Sequence, residues 1–222
     1  MSLIYLLKKD SLGSVHIVRQ LESAALQGLY VRRNTEDARR GLRSLARRLA
    51  RREAAALAIA TGIPGVPRVI EADGRSVLRE YLPGRPMQDA KPASAEYFKS
   101  ALKVLVALHR RGIAHNDLAK EANWLCTPDG RAAIVDFQVA IVSRRRGLLF
   151  RALAREDLRH LLKHKRTYLP ERLTARQRAL LDHPGLVSRS WARLVKPPYR
   201  WVTRRLLRWP ERIGAEERSD SP

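Results

Sequence analysis

Apolar positions repeat with a short period near the start of the chain and a longer one further on. The stretch LGSVHIVRQLESAALQGLYVRR, residues 12–33, predicts two strands, HIVRQLE and GLYVRR, joined by a small-residue turn. Asn34 to Arg40 is polar and ends that pattern. From about Gly41 to Ala60 the spacing becomes three and four, with Leu42, Leu45, Leu49, Ala56, Leu57 and Ala60 predicting an amphipathic helix. Glu53 falls on the same stripe, between Leu49 and Leu57. A carboxylate on a buried face requires a partner.

GIPGVPRVIEADGRSVLREYLPGRPM predicts two short strands around an Asp73-Gly74 turn. Pro83-Gly84 then breaks the chain, and a boundary is expected at about 80–86. A second helix, from about Ala95 to Arg111, carries Phe98, Leu102, Leu105 and Leu108, and Gly112 is its C-cap residue. A loop follows, then a strand NWLC, a turn Thr127-Pro128-Asp129-Gly130 and a strand RAAIVDF. Beyond it the pattern is helical to about 183, broken near Pro170. Strands gather early and helices late, so the expected class is α+β in two lobes: segments 1–82 and 83–185, then a basic Trp- and Arg-rich tail, 186–222.

Charge adds a constraint. Forty-four Lys and Arg against 22 Asp and Glu give a net charge of +22. That excess suits a polyanionic neighbour such as nucleic acid, an anionic membrane surface or a phosphorylated substrate. The codon bias of a GC-rich genome explains the same arginine excess. With Cys126 the only cysteine, no intrachain disulfide can form and a reducing compartment is expected. MSLIYLLKKDSLG has its apolar run before its lysines, the wrong order for a signal peptide. The expected location is cytoplasmic, with peripheral contact at the inner face of a membrane as the variant.

The chemistry concentrates in GIAHNDLAKEANWLCTPDGRAAIVDFQVA, residues 112–140. An Asp after a helix and loop, an Asn soon after it and an Asp closing a hairpin supply hard oxygen ligands of the kind that hold Mg²⁺ beside phosphates. The first Asp is left to orient or deprotonate an attacking hydroxyl. Each feature alone has an ordinary reading as a turn or helix-start residue; their order along one chain is the stronger signal.

Over roughly residues 10–165 the sequence resembles the protein-kinase-like superfamily, especially short bacterial RIO-like and small-molecule (lipopolysaccharide-type) kinases. His115-Asn116-Asp117 resembles the catalytic-loop His-Arg-Asp, Lys120-Glu121-Ala122-Asn123 the Lys-Pro-Glu-Asn that follows it, and Asp136-Phe137-Gln138 the Asp-Phe-Gly motif. The resemblance implies Asp117 as catalytic base, Lys120 on the transferring phosphate, and Asn123 and Asp136 as Mg²⁺ ligands. It implies Gly13 at the end of a phosphate-covering loop and Val15 over adenine. It makes Arg33, or Arg32 with the register slipped by one, the partner of Glu53. Glu80-Tyr81-Leu82 becomes the adenine-reading hinge, Glu80 and Leu82 included, and Asp157 a brace for the catalytic loop. The implied fold is two-lobed, with a small antiparallel-sheet N-lobe, a mainly helical C-lobe and a short activation segment.

Four departures stand out. Lys8 and Asp10 occupy the spacings of the first two loop glycines, arginine replaces the phosphate-pairing lysine, Asn123 lies six residues after Asp117 rather than five, and Gln138 replaces glycine. The implied function is transfer of the γ-phosphate of ATP, with Mg²⁺, to a hydroxyl acceptor on protein, lipid or sugar, as in serine/threonine or RIO-like kinases. Its rivals are a pseudokinase, binding nucleotide as a regulatory scaffold at an anionic membrane surface, and a charge-driven nucleic-acid-binding protein. No recognised nucleic-acid module is visible, so the last is weakest.

Two basic segments remain. Ser143-Arg144-Arg145-Arg146 with Arg151 reads as a clamp for an anionic substrate or lipid headgroup, or as a solvated basic face. The tail places Tyr199, Val202, Leu206 and Trp209 at helical spacing among arginines, fitting an interfacial membrane anchor or a helix packed on the larger lobe. Leu169-Pro170-Glu171 is read as a loop and helix start.

Overall fold

A computed structural model describes residues 2–20 and 28–182. The end of the first predicted strand, its small-residue turn and the basic tail lie outside the described residues. The protein is mixed α+β. Its described residues divide into two compact units: the first runs to Pro83 and includes Val135–Ala140, and the second comprises Gly84–Ile134 and the chain from Ile141. Val135–Ala140, expected within the second segment, therefore belongs by its contacts to the first.

The first unit is built on β1 (Ser2–Asp10), β2 (Gly13–Gln20), β3 (Gly28–Asn34), the helix α1 (Arg43–Ala60), β4 (Val69–Ala72) and β5 (Ser76–Glu80). The five strands form one antiparallel sheet in the order β1-β2-β3-β5-β4. Strand β1 was not expected: its run Leu3 to Leu7 does not alternate, and only its pairing with β2 makes it a strand. Asp10 and Gly13 close that hairpin, and the Asp10 carboxylate accepts the Leu12 N–H at 2.8 Å. Gly13 has φ +125°, and a Cβ there would collide with the Asn34 carbonyl, so only glycine lets β2 pass this close to β3. Val18, Tyr30 and Leu78 form a core cluster across β2, β3 and β5, with Ile70 packed against it.

α1 packs on β4 and β5 with Ala46, Ala50, Glu53, Ala56, Leu57 and Ala60 buried. The expected stripe is corrected at Leu45, which is exposed. The small Ala46 and Ala50 are buried instead, on the same side of the helix as Glu53.

The second unit comprises β6 (Arg85–Pro86), α2 (Met87–Ala90), α3 (Ala95–Arg110), β7 (Ile113–Ala114), β8 (Trp124–Cys126), β9 (Ala132–Ile134), β10 (Ile141–Val142), α4 (Leu148–Tyr168) and α5 (Ala175–Asp182). β6, β8 and β9 form a three-stranded antiparallel sheet, while β7 pairs with β10. The Ser94 hydroxyl caps α3 by accepting the Tyr97 N–H at 3.1 Å. Leu102, expected in the core, is exposed; Ala101 and Val104 are buried beside Phe98, Leu105 and Leu108. Gly112 ends the helix at φ +76°, and a Cβ there would run into the Ser143 carbonyl. A short 3-10 turn at Pro170–Arg172 separates α4 from α5, which is held by Leu162, Leu173 and Leu181. Among the described residues, no helix is long and apolar enough to cross a membrane.

Candidate functional site

Candidate residues gather into two groups, one in each unit.

In the first unit, β3 and α1 bring Arg33 to Glu53, with Arg33 Nε 2.9 Å from Glu53 Oε2. Glu53 is fully buried and Arg33 nearly so. Arg32, the alternative partner, is ruled out by the strand's period. It pairs across from His16 and takes the opposite face of the sheet from Arg33, which sits across from Val15.

A second cation was not anticipated. Arg79 Nε lies 3.3 Å from Glu53 Oε1, with Arg79 only 7% exposed. Val31 pairs with Arg79 and Arg33 with Val77, so the two arginines are diagonal neighbours on one face of β3 and β5. Only the strand register reveals this, because in the sequence Arg79 reads as one half of an ordinary charged Arg79-Glu80 pair at a strand end.

The fourth member is Asp136, whose Oδ1 lies 3.6 Å from Arg33 Nη2. Two guanidinium and two carboxylate groups thus form a balanced network around a dry Glu53. Burial alone would lower the Arg33 guanidinium, but the charges of Glu53, Asp136 and Asp10 outweigh it and hold the group above its ordinary range.

Asp136 has φ +69°, an uncommon backbone region for a non-glycine residue that Asp tolerates better than most. β9 ends at Ile134, three residues short of the end of the predicted strand RAAIVDF, and this frees Asp136 to turn. Phe137 next to it is fully buried. Glu80 and Tyr81 donate their N–H groups to Arg68 O at 2.8 Å and Leu29 O at 3.2 Å, and Leu82 follows the last of these bonds.

In the second unit, Asp117 is the centre. Lys120 Nζ lies 2.6 Å from Asp117 Oδ2. The Asn123 amide donates to Asp117 Oδ2 at 3.0 Å and to its main-chain oxygen at 2.9 Å. The residue added between Asp117 and Asn123 therefore does not separate them: a 3-10 turn at Glu121–Asn123 takes up the length. Since the Asn123 nitrogen donates inward, its side-chain oxygen remains the atom able to accept a cation.

The loop before Asp117 is held from α4. Asp157, 1% exposed, accepts the His115 N–H at 2.8 Å on Oδ2 and the Asn116 N–H at 2.9 Å on Oδ1. Asn116 sits at φ +63°, so the carboxylate stabilises a strained turn. His109 Nε2 adds a contact to Asp157 at 3.3 Å. Two further braces escaped sequence reasoning. His164 Nε2 and Trp124 Nε1 both donate to Leu118 O, at 2.8 and 3.2 Å. Their signal was weak, since each reads as an ordinary core residue.

Asp157→Ala is expected to leave the His115 and Asn116 N–H groups without an acceptor and to cost about 2–3 kcal/mol. Amide hydrogen exchange at those two positions checks this; unchanged protection contradicts the brace.

Among the described residues, no three His, Cys, Asp or Glu side chains form a metal cluster. The Asp136 carboxylate in the first unit and the Asn123 amide oxygen in the second are each a hard donor of the kind Mg²⁺ takes, since that ion keeps several waters and needs only one or two protein oxygens. No protein-family model and no curated protein matches the chain.

Proposed function

We propose that the chain is an ATP- and Mg²⁺-dependent phosphotransferase of the protein-kinase-like, two-lobed type, acting on a hydroxyl acceptor. The observation that carries this reading is Arg33 lying between Glu53 and Asp136. A cation aligned by a helix carboxylate next to a metal-binding carboxylate is the arrangement a nucleotide's phosphates require.

In this reading Arg33 binds phosphate oxygens, and its planar fork suits two of them at once. Glu53 and Arg79 set its direction. Asp136 in the first unit and Asn123 in the second would each offer an oxygen to Mg²⁺, which would supply positive charge against the phosphates. Asp117 receives the acceptor hydroxyl's proton as that oxygen bonds to the γ-phosphorus and ADP leaves, and Lys120 steadies the transferring group. Gly13 and Val15 border the nucleotide, while Glu80 and Leu82 meet adenine through their main chain.

A nucleotide-binding pseudokinase is the second reading, and one observation favours it. Arg33 already sits 3.6 Å from Asp136, so an internal cation shares the carboxylate that Mg²⁺ needs. Calorimetric titration of ATP with and without Mg²⁺ tests the common ground of both readings. Wild type is expected to bind ATP more tightly with Mg²⁺, and Asp136→Ala to lose that dependence. No binding in any condition would sink both.

A further inference from the structure

Between Asp136 and Glu156 the chain contains no acid and five arginines. Within this stretch Arg144, Arg145, Arg146 and Arg151 are exposed. So are Leu148 and Leu149, at 84% and 64% the most exposed large apolar side chains among the described residues. The segment is tied down at both ends. Ser143 N donates to Gly112 O at 2.8 Å, and the Arg146 guanidinium donates to the Arg110 carbonyl. These bonds set Arg110 and Arg111, both exposed, beside the arginine run. Phe150 is buried with its ring edge-on to His109, which anchors the first turn of α4 while its neighbours face outward.

Two ordinary rules are broken at this one place. The first turn of α4 contains no acid and no side chain caps its start, yet arginines crowd that positive end. Two adjacent leucines also stand in water. Neither arrangement helps the isolated protein fold, and both become favourable against one kind of partner.

We infer that the surface formed by Arg144, Arg145, Leu148, Leu149 and Arg151, with Arg110 and Arg111 beside it, docks the protein on an anionic lipid bilayer. The arginines meet headgroup phosphates, and the two leucines enter the boundary between headgroups and acyl chains. A nucleic acid would satisfy the charges but offers no apolar phase for adjacent leucines. Docking needs no nucleotide, so it stands or falls separately from phosphoryl transfer.

Flotation of the full chain, without nucleotide, on phosphatidylcholine vesicles with or without phosphatidylglycerol is the test. Wild type is expected to float only with the anionic vesicles and to be released by salt. Losing about fivefold per charge, the triple variant Arg144→Gln, Arg145→Gln, Arg151→Gln should partition about a hundredfold more weakly. Leu148→Ser with Leu149→Ser should cost about tenfold or more, with both variants keeping the wild-type melting temperature. Wild-type flotation by both variants would overturn the inference, assigning any lipid binding to another surface. So would loss in the arginine variant alone, which marks a polyanion site without insertion; an oligonucleotide competitor would then displace wild type from the vesicles.

Discussion

Glu53→Ala is expected to destabilise the protein by about 3–5 kcal/mol. Glu53 is fully excluded from water and faces two guanidinium groups, Arg33 at 2.9 Å and Arg79 at 3.3 Å. Removing the carboxylate leaves two buried cations, with Asp136 at 3.6 Å and the more distant Asp10 as the carboxylates still acting on Arg33. Desolvation that the network now offsets becomes uncompensated. Arg79→Met should cost much less, because Glu53 keeps Arg33 and the thioether fills similar space. Urea midpoints for the two variants decide this. An Arg79→Met loss as large as that of Glu53→Ala would mean that packing, not charge, holds α1 to the sheet.

The largest effect on activity is expected at Asp117. A positioned general base contributes about 10²–10⁴-fold, so Asp117→Ala should lower the rate of phosphoryl transfer by that factor while ATP still binds. The carboxylate's setting supports the split between rate and binding. It is held by Lys120 at 2.6 Å and Asn123 at 3.0 Å, inside a loop whose backbone is fastened to Asp157. Losing the Asp117–Lys120 ion pair should hardly change stability, since Lys120 is half exposed and such pairs contribute about 0–1 kcal/mol. A drop in rate without a drop in melting temperature therefore identifies chemistry rather than folding. A fall in both together would reduce Asp117 to a loop-ordering residue.

How much of this could be read from the sequence depended on how local each cause was. Helices α1 and α3, the hairpin of β4 and β5 and the Thr127–Gly130 turn follow from spacing and turn residues alone. Glu53 announced its need for a partner because a carboxylate interrupted an apolar stripe. Choosing Arg33 over Arg32 needed the alternation of β3, and Arg79 needed the register between β3 and β5, which no single segment contains. Strand β1 was hidden because a continuous apolar run carries no period. Leu45 and Leu102 read as core because they are leucines, whereas small alanines and Glu53 set the helix phase. The exposure of Leu148 and Leu149 is not legible in the sequence either, since apolar residues at a helix start read as core until their surroundings are known.

Transfer of label from γ-labelled ATP, measured with Mg²⁺ and with chelator, tests the central claim most directly. Water or hydroxyl acceptors in a cell extract serve as receiver. Wild type is expected to release or transfer label only with Mg²⁺, with Asp136→Ala inactive and Asp117→Ala reduced at least about a hundredfold. Label that stays on ATP in every wild-type reaction, or turnover that persists undiminished in Asp117→Ala, would contradict it.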